Sequence, residues 1–382
     1  MEHQDKGVAR VLAAIEAIRA GGMVIMVDDE DRENEGDLVF AAEHATADKI
    51  NFMAKEARGL ICLPLAPKLV SDLKLPLMDD VTKGPGDHTT AFTVSIEARY
   101  GVTTGISAAD RAHTVRVAAA DGAKPEDLVV PGHIFPLRAR PGGVLERSGH
   151  TEGSVDLARL SGCKPAAVIC EIMNDDGTMA RMSDLEVFAK KHGLIIVTID
   201  DLIAYRLTRD SLVKIVSQGQ LETTHGTFES ILFESVLDQS QHLALLKNSA
   251  RFSTDIVDVR VHRQRPILDV FVPSRSSGRY LVDYGLEMLN RADAGAFIYL
   301  SQMGNDQTFS DFSEVVKSVH GVKEEPTKHH AMDSRQLGIG AQIIRVLGIQ
   351  RMRTHVSAQR TLKGIAGFGL EVVDHVIIDS QN

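Results

Sequence analysis

The stretch "GGMVIMVDDEDRENEGDLVF" (residues 21–40) places an apolar strand, an acidic loop and a second apolar strand in direct succession. The run "MVIMV" (23–27), preceded by two glycines, has the pattern of a short buried strand. The loop after it holds seven carboxylates around Arg32, namely Asp28, Asp29, Glu30, Asp31, Glu33, Glu35 and Asp37. Like charges at the end of a buried strand repel one another. The stretch therefore predicts a sheet with a strongly anionic loop at one edge.

Two interpretations of this loop are open. Most acidic runs are solvated surface, but this one is tethered to a buried strand and contains an arginine. Crowded carboxylates also hold Mg²⁺ or Ca²⁺, because hard cations prefer oxygen ligands. A calcium-binding hand beginning at Asp31 places Gly36 correctly at position six but Ala42 at position twelve, where a bidentate Glu is required. A strand, not a helix, precedes the loop, so we reject the calcium hand.

Magnesium usually takes one or two carboxylates and leaves other positions to water and substrate. A further ligand must then come from elsewhere in the chain. The turn-rich segment "RSGHTEG" (147–153) is the candidate, because His150 can bind a metal ion and Arg147 can bind a phosphate or carboxylate. Gly149 allows close approach of the backbone. A structural histidine is the alternative interpretation.

Two more polar residues lie in apolar surroundings. His133 lies in "VVPGHIFP", and Glu171 lies in the apolar run "AVICEIM". A Glu within a buried strand is costly unless it is paired or functional. An ion pair that anchors the strand is the alternative, and spacing alone does not exclude it.

Length and composition limit the class of protein. The chain has 382 residues, which suggests two domains. Its formal net charge of −10 disfavours binding to nucleic acid or to an anionic membrane. The three cysteines, Cys62, Cys163 and Cys170, indicate neither a disulfide framework nor a zinc motif. No apolar run approaches the roughly 20 residues of a membrane span. We expect a soluble, cytoplasmic protein.

The pattern along the chain predicts two α/β or α+β domains, residues 1–207 and 212–382. Helical and strand patterns alternate through the first half. One predicted helix runs from the cap Thr46 to Gly59, and another has a Ser183/Glu186 capping box and ends at Gly193. The second half begins with strand-like runs, among them "PILDVFVP" (266–273), and contains a helix at 338–348.

Five segments in order resemble 3,4-dihydroxy-2-butanone 4-phosphate synthase of riboflavin biosynthesis. They are "DDEDRENEGDLVFAAEHAT", "HTTAFTVSIEA", "TTGISAADR", "PGHIFPLRARPGGVLERSGHTEGSVDLARLSG" and "VICEIMNDDGTMAR", and the match spans residues 8–206. The resemblance implies an α/β/α sandwich that works as a homodimer. It implies a lyase that converts D-ribulose 5-phosphate to L-3,4-dihydroxy-2-butanone 4-phosphate and formate with Mg²⁺ or Mn²⁺.

The same resemblance implies roles for individual residues. Glu33 and His150 would bind the metal ion, and His133 and Glu171 would be the catalytic residues for proton transfer. The substrate would be held by Arg32, Glu33, Asp37, Arg147, Ser148, Gly149, His150, Thr151 and Glu171. Each of these positions follows the family pattern.

Residues 210–382 resemble GTP cyclohydrolase II through "DVRVH" (258–262), "HAMDSRQLGIGAQIIRVLGI" (330–349) and "LKGIAGFGLEVVDHV" (362–376). That family holds zinc with three cysteines. The corresponding segments here read "VHRQRPILD" (261–269) and "SRSSGRY" (274–280), and no cysteine follows Cys170. We therefore expect no zinc and no GTP hydrolysis. A bifunctional enzyme and a metal- or nucleotide-binding regulatory protein are the alternatives.

Overall fold

The computed structural model describes residues 2–29, 32–78, 90–271, 278–301, 334–357 and 368–378. The chain divides into two compact units, residues 1–206 and 207–382. Glu30 and Asp31 of the acidic loop, and most of the predicted loop at 76–90, lie outside the described residues. Within the described part, no helix is both long and apolar enough to cross a bilayer.

Seven described strands of the N-terminal unit form one mixed sheet in the order β4-β5-β3-β6-β2-β1-β7. The strands are β1 (Val24–Val27), β2 (Gly36–Ala41), β3 (Cys62–Leu65), β4 (Ile96–Ala98), β5 (Leu128–Arg138), β6 (Ala167–Glu171) and β7 (Ile195–Thr198). The strand–loop–strand at 21–40 forms the antiparallel pair β1–β2 near one side of this sheet. The strand order brings β6 next to β2, so the acidic loop and Glu171 lie at one end of neighbouring strands.

Helices cover both faces of this sheet. They are α1 (Glu2–Arg19), α2 (Ala47–Phe52), α3 (Pro67–Asp72), α4 (Ala108–Ala118), α5 (His150–Leu160), α6 (Met182–His192) and α7 (Ile199–Arg209). On β1, Ile25 belongs to the core that contains Leu185 of α6. Met26 points to the other face, where α5 approaches so closely that a Cβ at Gly153 would lie 2.5 Å from its sulfur. The implied α/β/α sandwich is confirmed.

The ends of the helices follow local chemistry, with two differences from prediction. Thr46 caps α2 as predicted by accepting the N–H of Lys49 at 3.3 Å. The helical segment ends in a π-turn whose left-handed residue is Arg58, not the predicted Gly59. In α6 the cap is formed by Asp184, whose carboxylate accepts the N–H of Arg181 at 3.0 Å, and not by the predicted Ser183/Glu186 box.

The C-terminal unit is built on a second mixed sheet of seven described strands in the order β14-β13-β11-β12-β10-β9-β8. The strands are β8 (Val213–Thr223), β9 (Gly226–Ser235), β10 (Gln241–Lys247), β11 (Ile256–Arg263), β12 (Gly295–Leu300), β13 (Arg351–Val356) and β14 (Glu371–Ile377). The described helices are α8 (Pro266–Val270), α9 (Gly278–Arg291) and α10 (Ser334–Val346). The apolar face of α9 meets the sheet around Phe228, Leu289 and Phe297.

The prediction of a strand at "PILDVFVP" is wrong, because its first half is α8 (Pro266–Val270). A short apolar run has no periodicity that separates a buried strand from a helical turn. Pro266 suits the first turn of a helix, and Asp269 accepts the N–H of Arg265 at 2.8 Å. Residues 272–277, which include part of the segment compared with the zinc-binding cysteines, lie outside the described residues.

Candidate active site

The acidic loop is held together by Asp28, whose side chain is buried. One carboxylate oxygen accepts the N–H of Glu35 at 2.8 Å, and the other accepts the N–H of Glu33 at 3.2 Å. The second oxygen also receives the Arg32 guanidinium at 2.6 Å. Arg32 reaches Glu33 as well, at 2.9 Å. Part of the repulsion within the loop is thus offset internally, and Asp28 shapes the turn.

His150, the first residue of α5, lies against this loop. Its Nδ1 atom is 3.8 Å from Oε2 of Glu33, and its Nε2 atom is 4.0 Å from Oδ1 of Asp37. His150 and Asp37 are 5% and 2% exposed, whereas the Glu33 side chain is 46% exposed. The site therefore has a buried floor and one carboxylate open to solvent.

The charges of these three groups depend on one another. Burial alone lowers the pKa of His150, but the charge of Asp37 and the proximity of Glu33 outweigh burial and raise it to about 9. The facing His150, opposed by burial and assisted by Arg32, lowers the pKa of Glu33 to about 2. Burial raises the pKa of Asp37 to about 7, against the effect of His150. Without a bound cation, the imidazole is thus held in its charged form by its carboxylate neighbours.

Sheet register places Glu171 and His133 at the same level as this cluster. Asp37 is directly opposite Glu171 in the β2–β6 pair. Glu171 in turn accepts the N–H of Leu60 at 2.8 Å. In the parallel β3–β5 pair, Cys62 lies opposite Phe135. Two residues earlier in both segments, Leu60 therefore lies at the level of His133. Four neighbouring strands thus bring Asp37, Glu171 and His133 to one end of the sheet.

His133 has a carboxylate partner that the sequence interpretation did not single out. Its Nδ1 atom lies 2.6 Å from Oε2 of Glu97, which is buried on β4. The other oxygen of Glu97 accepts the hydroxyl of Thr114 at 2.7 Å. Such a pair fixes the tautomer of a neutral imidazole, with the proton on Nδ1. The ring is 43% exposed and is available to a substrate.

The segment "RSGHT" leads directly into the N-terminus of α5. Gly149 is the N-cap and provides no side-chain cap for the first N–H groups of the helix, which begins at His150 beside the acidic loop. Arg147 is buried and donates to Glu152 at 2.6 Å and to Thr90 at 3.2 Å. A Cβ at Gly149 would overlap the Arg147 guanidinium, which explains the glycine. Thr151 is buried and Ser148 is partly exposed.

The residues present fit a divalent cation. Ligand atoms of Asp28, Glu33 and His150 lie within 4.8 Å of one another. Oδ1 of Asp37 and Nε2 of His150 are buried and make no hydrogen bond with the described residues. The Asp28 carboxylate already accepts two backbone N–H groups and the Arg32 guanidinium. Glu33 and His150 are therefore the better ligands. Carboxylate and imidazole donors suit Mg²⁺ or Mn²⁺.

Two residues of the site were missed at the sequence level. Glu97 lies in "TVSIEA", an apolar strand interrupted by a carboxylate, which is the same signal that identified Glu171. In the sequence, Asp28 is one of seven loop carboxylates and nothing distinguishes it from the others. Its specific partners depend on the fold of the turn and have no separate sequence signal.

Comparisons with known proteins show which families the two units match. The family model described as 3,4-dihydroxy-2-butanone 4-phosphate synthase matches residues 12–205, and the one described as GTP cyclohydrolase II matches residues 214–377. The 3,4-dihydroxy-2-butanone 4-phosphate synthase of Pseudomonas syringae pv. tomato is 45% identical over 372 residues, which cover 96% of this chain and 98% of that protein.

Two further relatives resemble both units. Riboflavin biosynthesis protein RibBA of Aquifex aeolicus is 47% identical over 372 residues, covering 96% of this chain and 91% of that protein. The crystal structure of RibBX, a two-domain 3,4-dihydroxy-2-butanone 4-phosphate synthase from A. baumannii, has a TM-score of 0.79 and 42% identity. It covers 97% of this chain and 99% of its own.

Proposed function

We propose, because the chain belongs to the 3,4-dihydroxy-2-butanone 4-phosphate synthase family, that it converts D-ribulose 5-phosphate to L-3,4-dihydroxy-2-butanone 4-phosphate and formate in riboflavin biosynthesis. The observation that carries the proposal is the meeting of Glu33, Asp37 and His150 at one end of the sheet, with two buried polar atoms left without hydrogen bonds to the described residues. We also infer that the enzyme is cytoplasmic, as its composition indicates, and that it is a homodimer, as the family resemblance implies.

Glu33 and His150 would hold Mg²⁺ or Mn²⁺. When bound, the ion supplies a Lewis acid that stabilises negative charge on substrate oxygens. The N–H groups that begin α5, together with Arg147, Ser148, Gly149 and Thr151, would hold the phosphate, since a helix N-terminus favours an anion. Arg32 and Asp37 would contact the sugar. These contacts would anchor the substrate through its phosphate group, which the reaction leaves intact.

The proton transfers are assigned to His133 and Glu171. Glu97 holds the proton on Nδ1 of His133, so that Nε2 is the atom that takes or gives a proton. Glu171 is anchored through one carboxylate oxygen by the N–H of Leu60, so that its other oxygen faces the reaction. Enolisation of a ketose needs such a base while charge develops on oxygen.

The direct test is formate release from ribulose 5-phosphate in the presence of Mg²⁺. We expect release by the wild type and by Glu186→Gln, which alters an exposed residue of α6. We expect loss of activity in Glu33→Gln. Absence of formate from the wild type overturns the proposed reaction, whereas full activity of Glu33→Gln overturns the metal assignment alone.

We infer that the C-terminal unit does not hydrolyse GTP. Within the segment compared with a zinc-binding stretch, the buried His262 lies 3.0 Å from Asp269, and Tyr299 donates to Asp269 at 2.7 Å. This internal network, together with the absence of cysteine after Cys170, supports a unit without zinc. The family match over residues 214–377 favours the alternative of a bifunctional enzyme. Formate release from GTP that stops when zinc is removed would establish that alternative.

A further inference from the structure

A second group of metal-ligating side chains lies at the far end of the β2–β6 strand pair. Beyond Ala41, which pairs with Ala167, the chain enters a short 3₁₀ turn that carries Glu43 and His44. Cys163 lies in the turn between α5 and β6. The four residue steps from Asp37 to Ala41 span about 13 Å, so this group is separate from the active site.

The three side chains converge. Nε2 of His44 lies 3.8 Å from Sγ of Cys163 and 3.8 Å from Oε1 of Glu43. All three potential ligand atoms lie within 4.8 Å of one another. In a tetrahedral site with bonds of about 2.0–2.3 Å, neighbouring ligand atoms are roughly 3.3–3.7 Å apart. Small side-chain rotations therefore suffice to close the group around one ion.

The backbone that carries these side chains is anchored. Ala42 donates its N–H to Ala166 at 3.0 Å, and Cys163 donates its N–H to Ala158 at 3.0 Å. The second oxygen of Glu43 accepts the N–H of Lys164 at 3.2 Å, which leaves Oε1 turned toward His44. Lys49 holds the carbonyl of His44 at 2.8 Å. The ligand geometry is thus organised in advance, while the His44 side chain remains 34% exposed and open to an entering ion.

We propose that Glu43, His44 and Cys163 form a site for a zinc-like divalent cation, with a fourth position open to water. A thiolate with an imidazole selects a softer ion than Mg²⁺. The carboxylate and the thiolate together balance the two charges of the ion. Burial and the neighbouring Glu43 raise the pKa of the Cys163 thiol to about 11, so binding releases its proton to solvent as the metal–sulfur bond forms.

The test uses Co²⁺ as a spectroscopic probe on the reduced, untagged full chain, with excess Mg²⁺ to occupy the active site. We expect thiolate-to-cobalt charge-transfer absorption that saturates near one equivalent and is displaced by Zn²⁺. Cys163→Ser should abolish this absorption and leave Mg²⁺-supported formate release unchanged. Cys62 and Cys170 are buried and remain in this variant. His113→Gln, on α4, is the matched histidine control and should bind as the wild type does.

The variants Glu43→Gln and His44→Gln distinguish a site with three ligands from binding by the Cys163 thiol alone. Each should weaken Co²⁺ binding by roughly 10- to 100-fold. Absorption that is absent in the wild type, or that persists in Cys163→Ser, overturns the proposal. Binding by both Gln variants that is as tight as in the wild type also overturns it, because Cys163 alone would then account for the signal. Thermal unfolding in EDTA checks that each variant is folded.

Discussion

Nε2 of His150 and Oδ1 of Asp37 lie 4.0 Å apart in the interior of the N-terminal unit, and neither atom makes a hydrogen bond with the described residues. Burying two polar atoms without hydrogen bonds costs free energy unless a third group binds to them. A divalent cation near Glu33 and His150, or a hydroxyl of the substrate, would provide that group. This arrangement is consistent with a site built for binding.

Mg²⁺ binding is expected to release protons. The pKa of Asp37 is about 7 and that of His150 about 9, so both groups carry protons near neutral pH, while a metal ligand must be deprotonated. Apparent Mg²⁺ affinity should rise as pH increases from about 7 to about 9, and proton release should shrink over the same range. Calorimetric titration in buffers of different ionisation enthalpy measures both quantities.

Asp37→Asn provides the comparison for that titration. The amide carries no titratable proton, so the part of the release that belongs to Asp37 should disappear. The part from His150 should also shrink, because the charge of Asp37 helps to raise the pKa of His150. Equal heats in all buffers for the wild type, which would indicate no proton release, would contradict the assignment of His150 as a ligand.

Glu97→Gln should impair catalysis through His133 rather than through substrate binding. The amide no longer favours the proton on Nδ1, so the imidazole loses its fixed tautomer. We expect kcat to fall, within the roughly 10²- to 10⁴-fold that a positioned acid or base contributes, and KM to change little. The fall in kcat should be much smaller in Thr114→Val, which removes the outer hydrogen bond to Glu97 and the one that Ala98 donates to the same hydroxyl. A change in KM alone would count against this role.

Gly105→Ala tests the same pair through the backbone. Gly105 has φ +89°, and a Cβ there would overlap the Glu97 carboxylate and lie 2.5 Å from Nδ1 of His133. Gly122 has φ +74°, and a Cβ there would have no neighbouring atom within 4 Å. Both substitutions carry a similar backbone cost of about 1–2 kcal/mol. Formate release should therefore fall much further in Gly105→Ala than in Gly122→Ala, and equal losses would refute the steric argument.

Local signals predicted much of the fold, and tertiary contacts decided the remainder. As predicted, Thr46 caps the start of α2 and the left-handed Gly193 ends α6. At the end of the α2 segment, however, residue 59 must be glycine because Glu171 packs against it. A Cβ at this position would lie 2.6 Å from the Glu171 carboxylate. Arg58 therefore takes the left-handed conformation at φ +69°. Two adjacent residues compete for one role, and only the packed structure decides between them.

The residues of the site show the same division between local sequence signals and tertiary contacts. His150 and Glu171 were identified because a histidine in a Gly-rich turn and a carboxylate in a buried strand are unusual. Glu33 was distinguished from the other carboxylates of its loop only by the family resemblance. Asp37 faces Glu171 because β2 and β6 pair in that register, and a sequence alone does not specify which strands are neighbours. Glu97 shows the same pattern as Glu171, but its function depends on the proximity of His133, which lies 36 residues away.

The buried ion pair between Asp156 and Arg206 supports the segment that leads into the site. The side chains meet at 2.6 Å with 5% exposure each, and Asp156 also accepts the N–H of Val144 at 2.8 Å. Asp156→Ala leaves a buried guanidinium without its carboxylate, so the free energy of unfolding should fall by about 3–5 kcal/mol. Asp175→Asn removes an ion pair whose carboxylate is 93% exposed, and it should cost at most about 1 kcal/mol.

A double-mutant cycle with Arg206→Met separates the pair from the packing around it. Once both charges are gone, no uncompensated buried charge remains, so the double variant should be more stable than the sum of the two single losses predicts. Chemical denaturation of the full chain, followed by a probe confined to the N-terminal unit, measures all four states. Strict additivity would show that Asp156 acts mainly through the N–H of Val144, and the 142–147 turn would then be held by that hydrogen bond instead of the ion pair.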